Sequence, residues 1–303
     1  MSELDLLVVG DVNADLVLRG GDLVPAFGQR EQLVDSASLV LGGSGAIVAA
    51  GAARLGLRVA MAGRVGDDVL GRAMLEALAG VDVSAVRRAA EPTGITVALA
   101  RPGDRAILTA LGALASFTAD DVPDSLLTSA RWVHVTSPFL QPALDVAAIV
   151  ERAAGTTSLD PGWDPQERWE LAWEGFDVVM PNVQEAHRLT GEENPEVAAL
   201  RLAERGPVAV VKAGEAGALA AAPRDRSAAG PADILRARAP RVDTVDATGA
   251  GDSFDAGFIT ARLAGDDLAT ALGLGCACGA LSTRAAGGTA GQPTLAEART
   301  FSA

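Results

Sequence analysis

Short apolar runs separated by helix-length segments recur along this chain, and that rhythm constrains its fold more than any other feature. Residues 6–9, 59–62, 132–135, 157–159, 178–180 and 208–211 are β-prone runs. Stretches 45–55, 71–79, 143–153, 183–189 and 196–204 carry helical patterning between them. A strand that is apolar throughout must be covered on both faces, and crossover helices supply that cover. The expected fold is therefore α/β, a doubly wound and mostly parallel central sheet with helices on both faces. The segment after Asp252 and the run 268–284 close the domain, and Pro293 and Thr294 lead into a short C-terminal tail. Two places break the rhythm. From Asp15 to Leu41 the pattern alternates around Gly20, Gly21 and Pro25. From Thr93 to Thr109 the runs 95–100 and 105–109 flank Pro102-Gly-Asp104, a turn signal. Both read as strands outside the main sheet, so 15–41 and 93–110 are expected to form a small β lid. With no repeat and no linker, residues 1–303 read as one domain.

Hydrophobic residues make up 49% of the chain and aromatics only 4%, so the core must be built mostly from Ala, Val and Leu. A net charge of −14 and a pI near 4.6 argue against nucleic acid or an anionic membrane as partner. They do not exclude a phosphate ligand, because local N–H groups outweigh distant charge. Both cysteines lie in Cys276-Ala-Cys278, a spacing of neither a metal knuckle nor a redox pair, and read as core. With no basic leader and no 18-residue apolar stretch, the chain is expected to be soluble and cytoplasmic. Of 25 basic residues only Lys212 is lysine. It ends the run 208–211, and reads either as a chance survivor of Arg-rich composition or as a site needing a compact ammonium.

The densest chemistry lies in Asp246-Ala-Thr-Gly-Ala-Gly-Asp-Ser-Phe254, which reads as a loop feeding a helix N-terminus. Gly249 and Gly251 let the backbone turn tightly and approach a ligand. First-turn N–H groups lack partners and sit at the positive end of the helix dipole, an arrangement that binds anions. Asp252 stands directly in that turn. Beside a terminal phosphate it can accept a hydroxyl proton while the N–H groups hold developing charge, which is the arrangement for phosphoryl transfer. Taken alone, the run reads equally as an ordinary helix start with Asp252 complementing the dipole. It is not a dinucleotide fingerprint, because Phe254 stands where the third glycine should be, and no P-loop motif occurs.

Several blocks then resemble, in order and spacing, the ribokinase-like carbohydrate kinases of the phosphofructokinase B type. Gly10-Asp-Val-Asn-Ala-Asp15 resembles the family's opening, and Leu41-Gly-Gly-Ser-Gly-Ala46 its di-glycine hinge. Gly63-Arg-Val-Gly-Asp-Asp68 is similar to its second glycine block, and Pro181-Asn-Val-Gln-Glu185 to its Asn-x-x-Glu element. Val211-Lys-Ala-Gly214 with Gly217 resembles its nucleotide-side strand end, and 246–254 its most specific signature.

The resemblance implies an ATP-dependent kinase of a small sugar. Asp252 would be the base, and Gly249, Ala250 and Gly251 would present N–H groups to the transferring phosphoryl. Asn13 and Asp15 would hold substrate hydroxyls, with Gly42 and Gly43 allowing close approach. Asn182, Lys212, Gly214, Gly217 and Thr248 fall on the nucleotide side. Asn182 and Glu185, one helical turn apart, would hold Mg²⁺ through water, although Asn182 also reads as a helix cap after Pro181. Asp246 and Thr248, with carbonyls around 285–288, resemble a monovalent-cation site that could take K⁺. Asp160, after a strand, reads as cleft-lining or turn-forming. Exposed lid strands are an edge liability that a homodimer through the lid would cover.

One position departs from the family. The sixth residue counted from the first hinge glycine is usually Asn and here is Ile47, which points to a substrate lacking the corresponding hydroxyl or bound differently. Alternatives are a nucleoside kinase and a non-catalytic sugar-binding sensor. A hydrolase built on His134 or His187 lacks a nucleophile elbow.

Overall fold

A computed structural model of the chain describes residues 4–21, 23–101, 104–222 and 234–302. The strands among them are β1 Leu4–Val9, β2 Asn13–Arg19, β3 Ser36–Gly42, β4 Val59–Gly66, β5 Val81–Ala89, β6 Ile95–Arg101, β7 Asp104–Ala110, β8 Ala130–Thr136, β9 Thr156–Asp160, β10 Val178–Val179, β11 Val208–Lys212, β12 Ala218–Ala221 and β13 Ile234–Ala237. The helices are α1 Ser44–Arg54, α2 Val69–Ala77, α3 Asp124–Ser129, α4 Val146–Arg152, α5 Val183–Thr190, α6 Pro195–Ala203, α7 Ala250–Leu263, α8 Leu268–Ser282 and α9 Leu295–Phe301. They build one sheet in the order β13-β12-β11-β10-β9-β8-β1-β4-β5 and a second in the order β3-β2-β6-β7. In the large sheet every pairing from β11 through β5 is parallel, while β12 and β13 are antiparallel to their neighbours.

The apolar runs lie where their composition requires. Leu6, Leu7, Val8 and Val9 of β1 are fully buried, with neighbours on both faces of the sheet. Two apolar clusters flank that sheet. One joins Leu6, Val8 and Met61 to Phe254, Phe258 and Leu272; the other joins Leu7, Val9 and Val133 to Phe117, Ile149 and Leu202. Helix α8 is apolar all round because it is buried, and Cys276 and Cys278 lie inside it. Burial pushes both thiols up to about 12, so they remain inert core residues.

The structure extends the sequence reading at five places. Strand β4 continues to Gly66, because its end pairs with β5 as far as Ala89. β5 itself escapes the apolar pattern because it is an edge strand, with Asp82, Ser84, Arg87 and Arg88 exposed. β12 is a run of alanine and leucine, of low strand propensity, held by pairing on both sides. Helix α4 starts at 146 rather than 143, because the Asp145 carboxylate caps Ala147 and Ala148 N–H groups. The segment after Thr294 is a helix rather than a tail, capped by the Thr294 hydroxyl and anchored by buried Ala298.

The small sheet contains the expected lid strands. β2 opens at Asn13 and pairs with β3 on one side and β6 on the other. β6 and β7 pair antiparallel as far as Arg101 and Asp104. The turn read at Pro102 and Gly103 lies outside the described residues. Leu39, Ile107 and Leu108 of this sheet are exposed.

Candidate active site

An open cleft of about 1990 Å³ runs along the carboxyl ends of the large sheet's strands, with the small sheet against one part of it. Single-ligand pockets are typically about 300–1,000 Å³, so this cleft has room for two substrates. Five parallel strands each deliver polar residues to it. Asp11 follows β1, Ser137 follows β8, Asp160 ends β9, Asn182 follows β10 and Lys212 ends β11. That clustering is what a doubly wound sheet provides where strand order reverses.

Asp252 occupies the first turn of α7 and is buried. Burial, reinforced by the nearby charge of Asp160, pushes its carboxyl up to about 7, although Lys212 and a Ser44 hydrogen bond pull the other way. A base with that affinity for a proton is poised to take one near neutral pH. Gly249 is the N-cap, with φ of 72° and no side-chain cap; Ala250 N–H donates to the Ala247 carbonyl at 3.3 Å, and Gly249, Ala250 and Gly251 line the cleft. A Cβ on Gly249 would lie 2.8 Å from Gly288 Cα and 3.0 Å from Ile47 Cγ2. Gly249→Ala therefore combines roughly 1–2 kcal/mol of left-handed strain with displacement of the turn. The expected result is a kcat loss of at least about tenfold with modest loss of melting temperature, read by steady-state assay and calorimetry.

The residues expected to hold substrate hydroxyls come together. Asn13 Nδ2 donates to Asp15 Oδ1 at 2.9 Å and to Thr96 Oγ1 at 3.0 Å. The Asp15 carboxylate lies against Gly42, where a Cβ would collide with it, and Gly43 faces Asp11 and Asn13. Burial, with Asp11 adding to it, pushes the Asp15 carboxyl up to about 7. The sequence reading missed Asp11, whose carboxylate accepts from Ser44 and Gly45 N–H at 3.2 and 3.0 Å and so fixes the start of α1. Its only signal was an acidic residue at the end of the first strand. Ile47 lines the cleft and packs against Gly249 and Gly288, filling the space under the anion-binding turn.

Lys212 is buried, and its Nζ lies 2.7 Å from Asp160 Oδ2 and 3.1 Å from Asp255 Oδ2. Burial alone would lower its proton affinity, but the two carboxyls outweigh that and raise it. Asp160 is correspondingly held below its ordinary range by the Lys212 charge, against its own burial. Asp255, completely buried, is pushed well above it by burial, with the Lys212 charge opposing. Asp255 was missed; it lies three residues after Asp252 on the same helix, a spacing that brings both to one face. His134 is also buried, and desolvation pushes it down to about 3, so it is neutral. Asn182 caps α5 by accepting from Gln184 and Glu185 N–H, while Glu185 Oε2 accepts from Asn182 N–H at 2.8 Å. Burial pushes Glu185 up to about 7, with Asp160 adding to the effect. Gly214 and Gly217 flank a short 3₁₀ turn after β11 and line the same end of the cleft.

Asp246 and Thr248 are coupled to the lid. Thr248 donates to Asp246 Oδ1 through N–H at 3.0 Å and through its hydroxyl at 2.7 Å. Arg19 of β2 pairs with Asp246 Oδ2 at 2.6 Å, and Arg105 of β7 donates to Thr248 Oγ1 at 2.8 Å. Neither arginine was singled out in the sequence, because nothing local links residues more than 140 positions apart.

Comparison with known proteins gives the family and the fold. Residues 3–295 match the profile described as pfkB family carbohydrate kinase. An ATP-dependent ribose-1-phosphate kinase of Halopiger xanaduensis is 34% identical over 283 residues, covering 91% of each chain. A 2-dehydro-3-deoxygluconokinase of Bacillus subtilis is 31% identical over 295 residues, covering 88% of each. Arabidopsis thaliana ribokinase complexed with ribose and ATP superposes with a TM-score of 0.80 at 24% identity, covering 100% of this chain and 99% of that one, so the folds agree.

Proposed function

The chain belongs to the pfkB family of carbohydrate kinases, and from that premise we propose that it transfers the γ-phosphate of ATP to a hydroxyl of a small sugar in this cleft. The observation that carries the residue roles is Asp252, a buried carboxylate with a pKa near 7 directly after the Gly249, Ala250 and Gly251 turn. Asp252 takes the hydroxyl proton as the oxygen attacks in line, and the first-turn N–H groups of α7 hold charge on the transferring group. Asn13 and Asp15 orient the sugar. Lys212, Gly214, Gly217, Asn182 and Thr248 border the nucleotide side. The lid sheet excludes water that would otherwise hydrolyse ATP. A sensor without turnover has no use for a base so placed.

Mg²⁺ fits the donor set. The Asp160 charge pushes the buried Glu185 and Asp252 carboxyls up, and Asp252 adds to the effect on Glu185, even with Lys212 present. Glu185 and Asn182 would hold the ion through water, as oxygen ligands suited to it. When bound, it neutralises the phosphate oxygens of the nucleotide. Among the described residues no helix is long and apolar enough to cross a membrane. We place the protein in the cytoplasm, without nucleic-acid or membrane partners, as a homodimer in which exposed Leu39, Ile107 and Leu108 of the lid are covered.

The test is ADP release from Mg-ATP against free sugars, sugar phosphates, sugar acids and nucleosides, with each sugar paired to a deoxy analogue to probe Ile47. One sugar class should be turned over, and its kcat/KM should rise about tenfold per pH unit below about pH 7 and level above it. The sign follows from the base being active only when ionised. A profile flat across that range removes Asp252 from the role of titrating base.

A further inference from the structure

We infer that the Arg19 guanidinium is a built-in cation for the phosphate-binding turn, standing where the resemblance placed a monovalent metal ion. Its activity arm rests on the kinase reading; its structural arms do not. Both oxygens of Asp246 already face donors. Oδ2 accepts from Arg19 Nη2 at 2.6 Å and from Gly287 N–H at 2.9 Å. Oδ1 accepts from Thr248 N–H at 3.0 Å and from its hydroxyl at 2.7 Å. At residue 287 it is the N–H and not the carbonyl that points at the carboxylate. A potassium ion needs oxygens free of donors, and here it would meet an N–H and a guanidinium on the same oxygen. The residues present therefore do not fit that ion, and its charge is supplied by the chain.

The same contact makes Arg19 a positioning residue. It ends β2, so the charge comes from the lid. Val40 of β3 also packs on Gly287, its side chain 3.6 Å from where a Cβ would stand. Gly287 leads to Gly288, whose Cα lies against Gly249. An unbroken series of contacts thus runs from the lid through Asp246 to the N-cap of α7. The phosphate-binding turn is ordered when the lid strands are in place, with no dissolved cation required.

Wild-type full-length protein is compared with Arg19→Met and Arg19→Lys in potassium, sodium and tetramethylammonium chloride at equal ionic strength. Wild-type kcat and melting temperature should agree across the three salts to within about twofold and a few degrees. Arg19→Met should lower kcat by about tenfold or more with KM little changed, and speed amide exchange at Thr248 and Gly287 in the unliganded protein by about tenfold. Arg19→Lys, which keeps the charge, should recover most of the exchange protection. Potassium-specific activation or stabilisation of the wild type overturns the inference, as does unchanged exchange in Arg19→Met. If no compound is phosphorylated, the kinase reading fails, and the exchange and melting arms still decide this one. If Arg19→Met does not fold, Arg19→Lys and the wild-type salt series decide it.

Discussion

Asp252→Asn lowers kcat by a factor of about 10²–10⁴, the range supplied by a positioned base, and at the same time makes the folded protein harder to melt. The two effects have one cause. Asp252 is buried beside Asp160, and its carboxyl is held up to about 7 from an ordinary value of 3.8. A group whose folded pKa is raised contributes stability in its protonated form, fully present below the unfolded value and lost as pH rises through the folded one. Above about pH 7 the ionised base is therefore a net cost to the fold, on the order of 2–4 kcal/mol for a shift of this size. Asparagine has nearly the shape of the carboxyl and no charge, so the variant escapes that cost. The gain should be full near pH 8 and vanish toward pH 4, where the wild-type carboxyl is itself neutral. Denaturant titrations at both pH values, beside a steady-state assay, read the two effects separately. A rate within threefold of wild type would sink the base role (about 0.7 kcal/mol at most). A variant less stable than wild type near pH 8 would instead sink the claim that the carboxylate is strained.

The parts of this site legible in the sequence are those whose signal is backbone geometry. Gly249 had to be glycine because the N-cap of α7 is left-handed and presses on Gly288, and that requirement shows as a motif. Gly42 and Gly43 are legible for the same reason, since the Asp15 and Asn13 side chains and the Asp11 backbone crowd them. The central strands were legible because burial on both faces forces unbroken apolar runs, whereas edge strand β5 and alanine-rich β12 carry no such run. Side-chain partnerships over long separations were not legible. Asp246 resembles a metal ligand locally, and its Oδ2 accepts from Arg19, 227 residues earlier, a partner no local pattern announces. Asn182 reads as a cap or, with Glu185, as a metal donor; the structure shows the cap made reciprocally with Glu185, whose carboxylate is buried at the cleft. Ile47 looked like a lost hydroxyl contact, and packing against Gly249 and Gly288 accounts for its apolar character. Lone Lys212 was a compositional oddity whose meaning depended on two acids 52 and 43 positions away.

Lys212→Met should destabilise the fold by about 3–5 kcal/mol at neutral pH, the usual effect of removing one partner from a buried ion pair. Its ammonium lies 2.7 Å from Asp160, whose carboxyl it holds below the ordinary range in a buried site, and 3.1 Å from Asp255. Methionine has similar length, so the loss is charge rather than volume. Without the ammonium Asp160 must either stay charged and unpaired or take up a proton. The loss should therefore shrink as pH falls and protonation becomes easy. His134 cannot compensate, being neutral and desolvated. Adding Asp160→Asn should recover much of the stability, because the double variant removes both members of the Lys212–Asp160 pair, and the two changes are in contact and so not additive. Activity gives an independent reading of the same electrostatics. Lys212 pulls the Asp252 carboxyl down and Asp160 pushes it up. Lys212→Met alone should move the rise in kcat/KM to higher pH, Asp160→Asn alone to lower pH, and the double variant back toward the wild-type position. Those opposite displacements separate a shared electrostatic field from simple damage to the fold, which would lower the rate without moving the profile. If all three profiles coincide, Lys212 and Asp160 do not set the proton affinity of the base.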